Sequence, residues 1–98
     1  MFVHNVIFWL RKDLSDASVK EFEAGIAMLA KLPSVHHGFI GKPAATDRPI
    51  IDRTYSYGLT VVFDDLAGHD AYQVHPDHLE FVEKNKGKWA TVKIYDFE

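Results

Sequence analysis

The segment AYQVHPDHLEFV, residues 71–82, sets Tyr72, His75 and His78 three residues apart, with Pro76 lodged between the two histidines. An imidazole titrates near neutral pH, and a phenol can donate a hydrogen bond to a carbonyl or a developing oxyanion. A neutral histidine beside a tyrosine therefore suits proton abstraction next to a carbonyl. In an unbroken helix, residues three apart share a face. Pro76 interrupts that geometry, because it lacks an N–H and clashes with the preceding turn. His75 is accordingly expected to cap or stabilise the break. His78, in the first turn of a new helix opened by Pro76, is expected to turn inward. A helix N-terminus disfavours the imidazolium, which would keep that ring neutral and basic.

Six histidines occur in 98 residues, so each is weighed separately. His4 alternates with Val6, Phe8 and Leu10 in the strand-like string FVHNVIFWL. It should therefore lie on a buried face, where each ring nitrogen needs a partner. His36 and His37 are expected at the surface, and so is His69, in an exposed part of a helix. A metal site is a rival reading, because His75, His78, Asp77 and His4 supply donor types that suit zinc. No H-E-x-x-H string is present and Pro76 disrupts the ligand spacing, so a pocket without metal is expected. The absence of G-x-G-x-x-G or P-loop strings leaves no sequence support for a nucleotide cofactor.

The elements that must hold these residues follow from periodicity. Residues 2–10 read as a strand with both faces largely apolar, so both faces need cover. Ser15 offers an N-cap, and Val19, Phe22, Ile26 and Leu29 form a helical stripe that should end near Lys31 or Leu32, before Pro33. VHHGFIGKPA is a short strand candidate, ATDRPIIDRT a polar connection, and YSYGLTVVFDD a strand. Asp64 or Asp65 can cap a second helix that Pro76 divides in two. Leu79, Val82 and Phe81 are the expected buried side of its second half. KWATVKIYDF supplies the last strand. The order β-α-β-β-α-β predicts an α+β, ferredoxin-like single domain over residues 1–98, an antiparallel sheet with helices on one face. Val3, Ile7, Trp9, Val62 and Tyr95 should then occupy the helix-free face. An apolar face of that size marks an interaction surface, and two such sheets are expected to meet in a homodimer.

Composition narrows the function classes. The formal net charge is −3, with lysine and arginine scattered, which argues against nucleic acid as a partner. Without cysteine, disulfides, thiolate zinc sites and cysteine nucleophiles are excluded. The longest apolar run, Val6 to Leu10, is too short to span a bilayer, and no signal-peptide pattern follows Met1. A soluble, cytoplasmic protein is expected.

YQVHPDHLEFV, Trp89, the terminal IYDF, His4 in the first strand and SYGLTVVFDDLAGHDAYQVHPDH together resemble the stress-responsive dimeric α/β-barrel (Dabb) family. The resemblance spans essentially the whole chain and implies a dimer whose two sheets form a barrel. Most members have no assigned activity. One relative is the plant polyketide cyclase that makes olivetolic acid by intramolecular aldol condensation. Its catalytic tyrosine and histidine match Tyr72 and His78, and its strand-one histidine matches His4. Tyr57 stands where that cyclase has another pocket histidine. The implied pocket lining is Phe8, Phe22, Ile26, Leu59, Val61, Trp89, Val92 and Ile94, with Tyr57, a generic apolar set that does not name a substrate. Two functions are thus open. In the first, a small carbonyl-containing or aromatic molecule binds between sheet and helices, His78 is the base, Tyr72 orients the carbonyl and His4 assists. In the second, a non-catalytic stress or assembly module uses its histidines only to lock the broken helix.

Overall fold

The computed structural model describes all of residues 1–98. Seven elements follow one another: β1 (Phe2–Leu10), α1 (Asp16–Leu29), β2 (His37–Gly41), β3 (Tyr57–Phe63), α2 (Leu66–Gln73), α3 (Pro76–Asn85) and β4 (Trp89–Phe97). The strands form one sheet in the order β2-β3-β1-β4, with every neighbouring pair antiparallel. This is the ferredoxin-like α+β arrangement that the sequence predicts.

The strand β1 is central because it can be covered on both faces. Phe2, His4, Val6 and Phe8 point toward the helices and are buried, while Val3, Asn5, Ile7 and Trp9 lie on the opposite face and are half-buried. Register then assigns the neighbours. His4 stands between Val61 of β3 and Asp96 of β4, and Val6 between Leu59 and Ile94.

Local chemistry sets the helix boundaries. The Ser18 N–H donates to Ser15 Oγ at 3.1 Å, and the Gly68 N–H donates to Asp65 Oδ1 at 3.0 Å, so each cap satisfies one orphan donor. The helix α1 stops at Leu29, slightly before Lys31, and its last turn tightens as the Lys31 N–H donates to the Met28 carbonyl. The Val74–His75 joint separates α2 from α3, with Pro76 as the first residue of the new helix. His75 caps it: the Asp77 N–H donates to His75 Nδ1 at 3.1 Å.

The core joins Phe22, Ile26 and Leu29 of α1 to Phe8, Leu59, Val61 and Phe63 of the sheet, and to Tyr72 and Phe81. The buried side of α3 differs from expectation. His78, Phe81, Val82 and Asn85 face inward at helical spacing, whereas Leu79 is 56% exposed. Starting the helix at Pro76 fixes that phase, and Leu79 falls one residue off the stripe. Helices α1 and α3 approach closely where Gly25 meets Phe81, since a β-carbon at Gly25 would lie 2.6 Å from the Phe81 ring.

The helix-free face carries Val3, Ile7, Trp9, Val62 and Tyr95, as expected. Phe39 and Phe97 join them, at 63% and 60% exposure. No helix is long and apolar enough to cross a membrane.

Candidate active site between sheet and helices

A cavity of about 130 Å³ lies between the β1–β4 side of the sheet and the broken helix. Its walls include His4, Val6 and Phe8 from β1, Trp89, Val92 and Ile94 from β4, Leu59 from β3, and Leu29 from α1. Tyr72 and Gln73 enter from α2, and His78, Phe81 and Val82 from α3. The cavity is therefore apolar with a few polar groups, the usual form of a small-molecule site. Val92 and Ile94, at 37% and 51% exposure, sit where it opens toward the edge strand.

Three of the sequence-predicted residues meet here. Tyr72 is almost wholly buried, at 1% exposure, and its ring packs edge-to-face against His78 at 4.8 Å between centroids. On its other side it faces His4 at 6.0 Å. The helix break makes this possible, because Tyr72 ends one helix and His78 begins the next, so the two rings face each other rather than stacking along one stripe. Burial alone pushes the Tyr72 phenol up, with no neighbouring charge or hydrogen bond contributing. The phenol stays protonated at neutral pH and is available to donate a hydrogen bond.

His78 is held neutral. Burial lowers its pKa first, and the nearby imidazoles of His4, His69 and His75 lower it further. Its Nδ1 is buried with no hydrogen-bond partner in the protein. An unpartnered buried nitrogen costs free energy, on the order of 1–3 kcal/mol, and is retained only where something offsets that cost.

His4 is better satisfied. Its Nδ1–H donates to Asp96 Oδ1 at 2.5 Å, across the β1–β4 register. Burial lowers the His4 pKa, the Asp96 carboxylate opposes that shift, and His69 adds to it. The carboxylate also fixes the tautomer, as carboxylate–histidine pairs do.

Four expected lining residues lie elsewhere. Phe22, Ile26 and Val61 are fully buried in the core beside the cavity rather than around it. Tyr57 turns its hydroxyl away, donating to Glu23 Oε2 at 2.6 Å. The reason is sheet order. The cavity overlies β1 and β4, so of the strands on the other side only β3 contributes, through Leu59.

The expected lining omits Val6, Leu29, Gln73, Phe81 and Val82, and it also omits two polar neighbours of His4. His69 is not a surface residue: its side chain is only 13% exposed, and its ring lies 4.7 Å from Phe2 and 5.0 Å from His4. Its place three residues before Tyr72 was the available signal, since both then share a helix face. Asp96 lies on the Val92–Ile94 face of β4 by strict alternation. Recognising it as the His4 partner requires the register, which no local pattern gives. The surface expectation for His36 and His37 holds, as both are exposed.

The family model for Dabb, described as "Stress responsive A/B Barrel Domain", matches residues 2–98. This chain belongs to the Dabb family. A Dabb protein of ferredoxin-like fold from Mesorhizobium loti is 25% identical to it, with a TM-score of 0.79, and the match covers 99% of this chain and 94% of that one. A dimeric ferredoxin-like protein of unknown function from Jannaschia is also 25% identical, with a TM-score of 0.77 and coverage of 99% and 97%. A hydroxynitrile lyase from Passiflora edulis shares the fold at 16% identity, with a TM-score of 0.80 and coverage of 98% and 90%. No curated protein matches this Dabb chain.

Proposed function

We propose that this Dabb protein binds a small carbonyl-containing or aromatic molecule in the cavity and transfers a proton on it. The single observation that carries the reading is the unpartnered Nδ1 of His78, buried beside Tyr72 at the wall of an apolar cavity. His78 is the base that removes a proton next to the carbonyl. Tyr72, a protonated phenol, donates to the carbonyl oxygen as negative charge develops there. His4, oriented by Asp96, assists from the sheet. The chemistry is of the aldol, cyclase or isomerase kind. The Passiflora hydroxynitrile lyase has the same fold, which supports the fold as a host for enzyme chemistry without naming this substrate.

At about 130 Å³, the cavity holds a ring-sized group. A longer ligand extends past Val92 and Ile94. The test is protein-observed NMR with small aryl ketones. The reading expects saturable shifts at His4, Tyr72, His78 and Trp89; shifts confined to residues outside the cavity would contradict it.

The protein is further proposed to be a homodimer joined through the helix-free sheet face. Its support is the exposed apolar set Phe39, Tyr95 and Phe97 around half-buried Val3, Ile7, Trp9 and Val62, together with dimeric relatives of the same fold. Neither nucleic acid nor a membrane is a partner in this reading.

A second reading keeps the histidines structural and leaves the dimer as the functional product. The His4–Asp96 pair favours it, since this contact ties the edge strand to the central one without any ligand. The two readings separate at His78, whose bare nitrogen holds nothing together.

A further inference from the structure

His69 has no part in the proton-transfer scheme and Asp96 only orients His4, yet the three converge. We propose that His4, His69 and Asp96 form a binding site for one divalent transition-metal ion of the zinc class. The inference goes beyond the proposed proton transfer and does not rest on it.

The three residues come from three elements, β1, α2 and β4, and each has one donor atom within 4.8 Å of the others'. Two imidazoles and a carboxylate form the ligand type that binds zinc with three protein groups and leaves a fourth position open. Exposure is graded in the manner such a site needs. The His4 side chain is 3% exposed, that of His69 13% and that of Asp96 36%, so the innermost ligand is rigid and the outermost faces solvent. An ion can enter from the Asp96 side and keep a water there.

The ring environments suit the role. The His4 and His69 rings meet edge to face at 5.0 Å, which brings nitrogens together rather than burying them in a stack. Phe2 and Phe63 pack on His69 at 4.7 and 5.8 Å and form a dry wall on one side. Asp70 lies 3.1 Å from His69 Nδ1, the kind of carboxylate support that orients a ligating imidazole.

Distances decide how much must move. Tetrahedral ligands at zinc bond lengths stand about 3.4 Å apart. The His4–Asp96 contact of 2.5 Å must therefore open by roughly 1 Å, and the widest separation must close by a similar amount. Both movements fall on the partly exposed side chains of Asp96 and His69 and leave the His4 ring and the sheet in place, while the proton that His4 Nδ1 shares with Asp96 leaves for Nε2 or for solvent as the ion binds.

The test uses the full chain, with zinc and cobalt chloride as probes. Isothermal titration should give one equivalent per chain, and cobalt should give the visible absorption of a low-symmetry, four- or five-coordinate site. His69→Ala and Asp96→Asn, each checked for an unchanged fold, should each weaken binding tenfold or more. The ring-nitrogen resonances of His4 and His69 should shift with zinc, and those of His36 and His37 should not. The exposed pair His36 and His37, 4.7 Å apart and with Asp64 at 3.4 Å from His36, is the competing site. Binding that is lost in a His36→Ala, His37→Ala double variant, or that survives both His69→Ala and Asp96→Asn, overturns the proposal. So does the absence of binding at millimolar metal.

Discussion

Tyr72 and His78 face each other across a helix break, with ring centroids 4.8 Å apart and 67° between the ring planes. The relationship depends on His75 and Pro76. His75 caps the second helix with its own ring, and Pro76 begins that helix where its missing N–H is not needed. Two histidines three residues apart thus do different work, one closing the backbone and one facing a cavity.

The bare nitrogen of His78 gives a stability signature. Removing it relieves an unpaired buried polar atom, and removing the Tyr72 hydroxyl breaks no hydrogen bond to the protein. We expect Tyr72→Phe to change unfolding free energy by less than about 0.5 kcal/mol, and His78→Leu to be neutral or stabilising by about 1 kcal/mol. Urea titration followed by circular dichroism measures both. A loss of several kcal/mol in either variant would assign the residue to the fold instead.

Acid should destabilise the protein through His78. Its folded pKa is lowered, first by burial and then by the facing imidazoles of His4, His69 and His75. Below the ordinary histidine value the unfolded chain binds this proton before the native state does. Its contribution is therefore fully present at neutral pH and is lost as pH falls toward the lowered folded value. Melting temperatures recorded between pH 7 and pH 5 should drop less steeply in His78→Leu than in the unaltered protein. Parallel slopes would mean that His78 titrates as an exposed imidazole does.

The sheet face predicts an assembly. Ile7 sits centrally on the helix-free side, opposite Gly58 and Lys93 on the neighbouring strands. Light scattering should give twice the 11.2 kDa chain mass for the unaltered protein, and the chain mass itself for Ile7→Glu. Burying a carboxylate there costs far more than a dimer interface can offset. A dimer that persists in Ile7→Glu would place the interface elsewhere.

Much of this architecture was legible in the residues. The β1 alternation gave both faces of the sheet, Ser15 gave the first helix start, and Pro76 gave the break, though not the phase of the helix after it, where Leu79 turns outward. Each is a local signal, set by backbone sterics or by an orphan donor. The cavity outline was less accessible because it depends on which strands adjoin. Val61 and Tyr57 point to the helix side of the sheet and Phe22 and Ile26 lie on the buried face of α1, as periodicity requires, yet all four lie away from the β1–β4 cleft. Asp96 became a partner of His4 only through cross-strand register, a contact spanning nearly the whole chain. His69 falls outside the expected surface set because the exposed part of α2 does not include it: the His69–Tyr72 face lies against Phe2, His4 and Phe63.

Proton transfer by His78 is tested most directly by deuterium exchange. A small aryl methyl ketone in deuterium oxide, followed by proton NMR, reports removal of the proton beside its carbonyl without requiring the natural substrate. The protein should accelerate exchange saturably, and His78→Leu and Tyr72→Phe should each lower the rate by a factor of about 10² or more. A ketone that binds in the cavity but exchanges equally fast with the unaltered protein and with His78→Leu would contradict the assignment of His78 as the base.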